Sequence, residues 1–356
     1  RMPNSQQWND FFIRFDPRAV SREYDIPIDK IADHSIFLIS KNRLNSEIDF
    51  IEGKGRYIYP VSSEQLNTFI RSMKYPAGEF FWLNNEKRNY IQSILGIRFP
   101  EIMAIINMTP DSFFPGSRFK DEDLPVLLEK YKKQGVRIVD IGGQSTRPGS
   151  ERVDAEEEIR RIRFAVEESL NMGFIVSVDS FQVKVVKECL DLGAKIINDV
   201  TGMENQEMGE LSRKYQAPIV IMHKKGDFKT MQLSPYYENV TEEIISFFAE
   251  KLEEANRLGI SNNVILDPGI GFGKSVAHNL YIIRNIQDLK LGHPLLIGLS
   301  RKSFIGAITG ESVEQREQSS LIFNSIALLH GADIIRVHDV EQSIKLIKII
   351  RSINEI

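Results

Sequence analysis

From residue 101 to the C-terminus, short apolar runs alternate with longer stretches whose apolar residues recur every three or four positions. The first run, Ile102–Met108, is apolar up to Asn107 and then gives way to a polar turn. A short apolar run closed by turn residues is the pattern of a strand covered on both faces, and recurrence every three or four positions marks an amphipathic helix. The alternation predicts strands at Ile102–Met108, Val136–Ile141, Phe174–Val178, Lys195–Asn198, Pro218–Met222, Asn263–Leu266, Pro294–Leu299 and Asp333–Val337. The helices predicted between and after them are Leu124–Gln134, Val153–Met172, Gln182–Leu192, Glu207–Tyr215, Glu238–Leu258, Ala277–Ile286, Gln315–His330 and Val340–Ile350. Gly135, Gly173, Gly193, Gly259 and Gly331 follow these helices, where a left-handed cap favours glycine.

Eight strand-then-helix units over about 250 residues predict an α/β protein closed as a (β/α)8 barrel. A doubly wound sheet would also alternate, but no Gly-x-Gly-x-x-Gly opens the series. Residues 1–98 lack this rhythm and read as an N-terminal extension, a small α/β domain ahead of a barrel over 99–356. Strands are expected there at Ser35–Ser40, Arg56–Tyr59 and Glu79–Leu83, with helices at Gln65–Met73 and Glu86–Leu95. Arg14, Asp16, Arg18 and Arg22 read as a solvated charged face rather than an anion site.

A polar residue stands at or just past the end of every barrel strand. They are Asn107; Asp140 with Thr146 and Arg147; Asp179; Asn198 with Asp199; His223; Asp267; Ser300, Arg301 and Lys302; and Arg336 with His338. In a barrel these ends converge on the face that carries chemistry. Asp179, Asn198 and Asp267 suit a nitrogen heterocycle rich in N–H donors, because buried carboxylates require donors. Lys302, Arg301, Arg336, His338 and Arg147 suit a polyanion such as a diphosphate. One ligand with both features would use the whole set.

Composition narrows the alternatives. The chain has 356 residues, a net charge of −4 and no basic stripe, which gives no indication of nucleic-acid binding. No apolar run approaches the ~20 residues of a membrane span, and no signal-peptide core stands at the N-terminus. The single cysteine, Cys189, sits in an amphipathic helix and reads as packing, which fits a reducing, cytoplasmic compartment. Six scattered histidines without a Cys/His cluster give no zinc site. The stretch Asp267-Pro-Gly-Ile-Gly-Phe-Gly-Lys-Ser275 looks like a phosphate loop, but Pro268 occupies the position of the required first glycine. Its glycines are expected to let the backbone approach a ligand. Magnesium held mainly by ligand oxygens, with Asn107 as a protein amide, is compatible with the set.

These motifs carry a resemblance. Ile106-Asn-Met-Thr-Pro-Asp-Ser-Phe113, Asp140-Ile-Gly-Gly-Gln-Ser-Thr-Arg-Pro-Gly149, Ser177-Val-Asp-Ser180 and Ile196-Ile-Asn-Asp199 resemble the dihydropteroate synthase family. So do Leu266–Lys274, Ser300-Arg-Lys-Ser303 and Arg336-Val-His-Asp339, in the same order, from about residue 101 to the C-terminus. The resemblance implies a pterin-binding TIM barrel that joins 6-hydroxymethyl-7,8-dihydropterin diphosphate to 4-aminobenzoate and releases diphosphate, in folate biosynthesis. It implies Asp179, Asn198, Met222, Asp267, Phe272 and Lys302 around the pterin, with Asn107, Thr146, Arg336 and His338 on the diphosphate side. The aminobenzoate would lie near Phe113, Thr146, Arg147, Pro148 and Ser303. Catalysis would fall to Lys302, Arg336, His338 and Asp179. It also implies Mg2+ at Asn107, small-molecule substrates and a homodimer.

Two positions depart from the family pattern. Pro115 replaces the second acidic residue of the loop after the first strand, and Gln144 replaces the Glu of Gly-Gly-Glu-Ser-Thr. Pro115 cannot pair with a basic residue as that loop closes, so a raised KM for aminobenzoate is expected. A pterin-dependent methyltransferase would share the barrel and the Asp/Asn set, but not the need for Ser-Arg-Lys-Ser and Arg-Val-His. A non-catalytic pterin-binding paralogue would have no use for the cationic set.

Overall fold

The computed structural model describes residues 11–44, 48–66, 85–109, 123–144, 153–228 and 230–355. The eight-fold alternation is present, as a closed parallel barrel. Its strands are β5 (Glu101–Asn107), β6 (Ile138–Gly142), β7 (Ile175–Asp179), β8 (Ile196–Asp199), β9 (Ile219–Met222), β10 (Val264–Asp267), β11 (Leu296–Ile297) and β12 (Ile334–Val337). They pair in the order β10-β9-β8-β7-β6-β5-β12-β11. A parallel bridge between Leu266 and Leu295 joins the two ends and closes the ring.

Helices wrap the barrel in turn. They are α3 (Leu124–Gln134), α4 (Ala155–Asn171), α5 (Val183–Leu192), α6 (Gln206–Tyr215), α7 (Val240–Arg257), α8 (Val276–Arg284), α9 (Ile286–Leu289), α10 (Ser303–Thr309), α11 (Glu317–Leu329) and α12 (Val340–Asn354). The helix expected over Ala277–Ile286 divides into α8 and α9 at Asn285. The strand expected over Pro294–Leu299 shortens to two residues. The short α10 was not anticipated. Cys189 is buried in α5, as packing requires, and among the described residues no helix is long and apolar enough to cross a membrane.

Ahead of the barrel, β1 (Phe11–Arg14), β2 (Phe37–Ser40), β3 (Ile51–Gly53) and β4 (Arg56–Pro60) form an antiparallel sheet in the order β1-β2-β4-β3, with α1 (Pro17–Tyr24) against it. Asp16 caps α1 by accepting from the Arg18 N–H, and Pro17 opens the helix. β1 and α1 were not foreseen, and the solvated reading of Arg14 is corrected here. Arg14 is fully buried and donates to Asp288 of α9 at 2.6 Å and to both carboxylate oxygens of Glu23 at 2.7 and 2.9 Å. Tyr24 donates to Glu242 of α7 at 2.8 Å, and Arg56 pairs with the same carboxylate at 2.9 Å. A charged side chain inside a protein persists only when its donors are matched like this.

α2 (Glu86–Leu95) links the two parts. Its Ile91 and Leu95, with Ile97 and Phe99, cluster with Met103, Ile138, Ile196, Val220, Ile265, Leu296 and Ile334. These strand residues lie early in their strands, so α2 plugs the N-terminal end of the barrel. Residues 67–84, including the strand expected at Glu79–Leu83 and most of the helix expected at Gln65–Met73, lie outside the described set.

Candidate active site

Successive strand residues point to opposite faces, so residues two apart share one face. The plug cluster therefore fixes which residues point inward. Two positions beyond its apolar members Ile138, Ile196, Val220, Ile265 and Ile334 come Asp140, Asn198, Met222, Asp267 and Arg336. Asn107 lies on the same face of β5 as Met103, four positions on. Asp179 pairs in register with Asn198. The strands β5, β6, β8, β10 and β12 thus change from apolar at the closed end to polar at the open end on the inward face, while β9 ends in Met222.

Arg336 bridges two carboxylates: its Nε donates to Asp140 Oδ2 and its Nη2 to Asp179 Oδ2, both at 2.6 Å. Asn198 Nδ2 also donates to Asp140 Oδ2, at 3.0 Å. The second oxygens, Asp140 Oδ1 and Asp179 Oδ1, are buried without a hydrogen-bond partner. Burial pushes the Asp179 carboxyl up to about 7, opposed by Arg336 and reinforced by the Asp140 charge. Burial alone would lower the Arg336 pKa, but Asp140 and Asp179 more than offset it and hold the guanidinium charged.

Asp267 is buried, and its Oδ1 accepts from the Gly269 N–H at 2.7 Å. Burial raises its pKa against the pull of that N–H and of Lys302. Lys302 reaches over the Phe272 ring, 4.6 Å from its centroid, and donates to the Ile270 carbonyl. Burial lowers the Lys302 pKa to about 8, although Asp267 opposes the shift. His338 Nδ1 lies 3.2 Å from Ser300 Oγ. Ser303 is exposed at the start of α10, next to Lys302.

Asp199, included among the strand ends, is turn chemistry instead. Its carboxylate accepts from the Thr201 N–H and hydroxyl and from the Met203 N–H. His223 is buried against Lys274, whose Nζ lies 3.0 Å from its Nδ1. Burial and Lys274 together push the His223 pKa well below its usual value. Burial likewise lowers the Lys274 pKa, against Asp267.

The glycines of the Asp267–Ser275 stretch meet protein rather than open space. A Cβ on Gly269 would stand 1.9 Å from the His223 carbonyl oxygen, and one on Gly273 would stand 2.1 Å from that of Lys225. For Gly269 and Gly273 the expectation that they admit a ligand is therefore replaced, because they let the loops after β9 and β10 touch, while a Cβ on Gly271 would stand 3.3 Å from Lys302 Cδ.

Phe181 and Phe228 went unread in the sequence. Their rings stack 6.2 Å apart, and Phe228 meets Phe272 edge-on at 6.4 Å. Single aromatics in loops carry no periodicity that would single them out. Phe113, Pro115, Thr146, Arg147 and Pro148 lie outside the described residues. Gln144 is buried, within 3.5 Å of the Gln182 amide, which also donates to Glu158.

The pterin binding enzyme family matches residues 103–338. The dihydropteroate synthase of Haemophilus influenzae is 39% identical over 259 residues, which are 72% of this chain and 94% of that protein. The crystal structure of Yersinia pestis dihydropteroate synthase with a sulfonamide drug complex superposes with a TM-score of 0.69 at 35% identity, over 74% of this chain and 96% of the other. The Xanthomonas albilineans dihydropteroate synthase with 4-aminobenzoic acid gives 0.66 at 35% identity, over 72% and 94%.

Proposed function

The chain belongs to the pterin-binding enzyme family, among its dihydropteroate synthases, and on that premise we propose how its own residues share the reaction. The activity is a transfer in folate biosynthesis: 6-hydroxymethyl-7,8-dihydropterin diphosphate and 4-aminobenzoate give 7,8-dihydropteroate and diphosphate.

Asp179, Asn198 and Asp267 receive the pterin edge, with Met222 and Phe272 as apolar walls and Lys302 at its rim. The observation that carries this assignment is the buried Asp179 Oδ1, which lacks a donor, as does Asp140 Oδ1 across Arg336. A pterin ring brings N–H groups in the plane where such acceptors are used. Arg336, His338 and Thr146 take the diphosphate side. Negative charge grows on the bridging oxygen as the C–O bond breaks, and a fixed guanidinium and ammonium stabilise it without reorganising. The amine of 4-aminobenzoate then forms the new C–N bond and releases its proton to solvent, so the enzyme needs positioning more than a strong base. Ser303, with Phe113, Arg147 and Pro148, holds the aminobenzoate. Lys302, Arg336, His338 and Asp179 are accordingly the catalytic set.

Mg2+ fits the donor set at Asn107. Among the described residues no group of three or more His, Cys, Asp or Glu could hold a metal. An ion that keeps waters and takes most of its ligands from diphosphate needs only the Asn107 amide oxygen. When bound it would neutralise part of the diphosphate charge.

A homodimer belongs to the same proposal. Ile322, Ile326 and Leu329 are exposed on one face of α11, beside exposed Ile349 and Ile353 on the adjoining α12. An apolar stripe of this kind favours a second copy. A cytoplasmic location accords with the one buried thiol, Cys189, whose pKa burial pushes up to about 12. Measuring diphosphate release with the pterin diphosphate, 4-aminobenzoate and Mg2+ tests the assignment. Release that depends on all three supports it, and release without the arylamine would point to hydrolysis.

A further inference from the structure

The stretch Asp267–Ser275 ends in the Lys-Ser pair of a phosphate loop, yet Lys274 does not face a phosphate site. It is only 2% exposed. Its Nζ reaches three acceptors: His223 Nδ1 at 3.0 Å, the His223 carbonyl at 3.2 Å and the Phe272 carbonyl at 3.0 Å. Its backbone N–H donates to Gln232 Oε1 at 3.0 Å. Below it the loops after β9 and β10 are already pressed together, because Gly269 and Gly273 abut the carbonyls of His223 and Lys225. The His223 N–H also donates to the Asp267 carbonyl at 2.9 Å.

We infer that Lys274 is a positioning residue of the pterin pocket: it ties the backbone of Phe272 to His223 and so fixes the Phe272 ring beneath Lys302. Phe272 has no hydrogen-bonding side chain to orient itself, and its ring carries the Lys302 ammonium at 4.6 Å on one side. A loop with three left-handed glycines, Gly269, Gly271 and Gly273, has a backbone that needs such a tie. The two carbonyls and the imidazole give Lys274 three partners on two different loops, which no single backbone hydrogen bond would provide. The inference rests on Phe272 being a wall of the pterin site.

The test is calorimetric titration of a 7,8-dihydropterin into wild type, Lys274→Met, Phe272→Ala and the double variant, with aminobenzoate KM measured in parallel. Lys274→Met should weaken pterin binding by about tenfold or more while the aminobenzoate KM stays within about twofold, and the double variant should bind no more weakly than the poorer single one. Additive losses, or wild-type pterin affinity in Lys274→Met, would overturn the inference. Lys274→Gln retains a donor and should fall between wild type and Lys274→Met. If neither Lys274 variant folds, the residue serves folding alone and the inference fails. If wild type itself does not bind the dihydropterin, the pterin reading fails first, which is a separate result.

Discussion

Two arginines in this molecule, Arg14 fully buried and Arg336 half-buried, do the same thing with opposite consequences. Arg14, at the seam between the N-terminal sheet and the barrel, bridges Asp288 and Glu23; Arg336, at the open end of the barrel, bridges Asp140 and Asp179. At the seam the remaining oxygen of Asp288 accepts from the Phe15 N–H at 2.9 Å, and Glu23 also accepts from Asn285. At the barrel mouth each carboxylate keeps one oxygen without a donor. Protein groups match both oxygens of each seam carboxylate, although Asn285 Oδ1 there stays unmatched, whereas the carboxylates at the mouth are left open at a cost to stability that a ligand can offset. An ion pair inside a protein therefore says little by itself; the unmatched carboxylate oxygens beside it separate a structural seam from a substrate site.

The largest expected effect comes from removing the seam and the plug together. A chain beginning at Phe99 loses α2, whose Ile91 and Leu95 fill the barrel's closed end, and leaves Asp288 and Glu242 without Arg14 and Tyr24. It should not fold, whereas a chain beginning at Asn85 should fold with reduced stability and retain turnover per folded molecule. Thermal melts with active-site titration check both; an active, stable Phe99 chain would show that the barrel needs neither the plug nor the seam.

The two arginines can then be set against each other. Arg14→Met should lower stability by about 3–5 kcal/mol with little change in kcat/KM. Arg336→Met should instead lower kcat/KM by about 10²–10³-fold, the scale of losing a group that stabilises transition-state charge. Denaturant melts and steady-state kinetics on both variants would blur the comparison if the two profiles matched.

A pH profile sharpens it further. Asp179 must be ionised to accept pterin N–H donors, so activity should fall as the pH drops below about 7. Lys302 must be protonated to face the diphosphate, so activity should fall as the pH rises above about 8. kcat/KM should follow a narrow bell between those limits, and Asp179→Asn should remove its acid limb. At the seam, Tyr24→Phe removes one hydrogen bond to Glu242 and should cost only about 1 kcal/mol of stability, with an unchanged pH profile.

Much of this was legible in the sequence, because barrel strands and helices announce themselves by period. Placing Asp140, Asp179, Asn198, Asp267 and Arg336 at strand ends was enough to bring them together, since closure does the rest. The points where sequence and structure part have different causes. Arg14 looked solvated because Asp288 lies 274 residues away. Asp199 stood among the strand-end residues, but its carboxylate serves a local turn, accepting from the N–H groups of Thr201 and Met203, two and four residues on. β11 pairs with β12 over Leu296–Ile297 only, and the bridge that closes the ring falls at Leu295; no apolar pattern encodes where a ring joins.

The account stands most directly on the unpaired oxygen of Asp179. Calorimetric titration of a 7,8-dihydropterin against wild type and Asp179→Asn at pH 8.5, with melting curves for both, tests it. Exchanging an acceptor for an amide should weaken binding by about 10–150-fold, the equivalent of the ~1.5–3 kcal/mol of one charge-assisted hydrogen bond, while the melting temperature holds or rises. Unchanged pterin affinity in Asp179→Asn, with the fold intact, would contradict the claim that the open carboxylates are the pterin site.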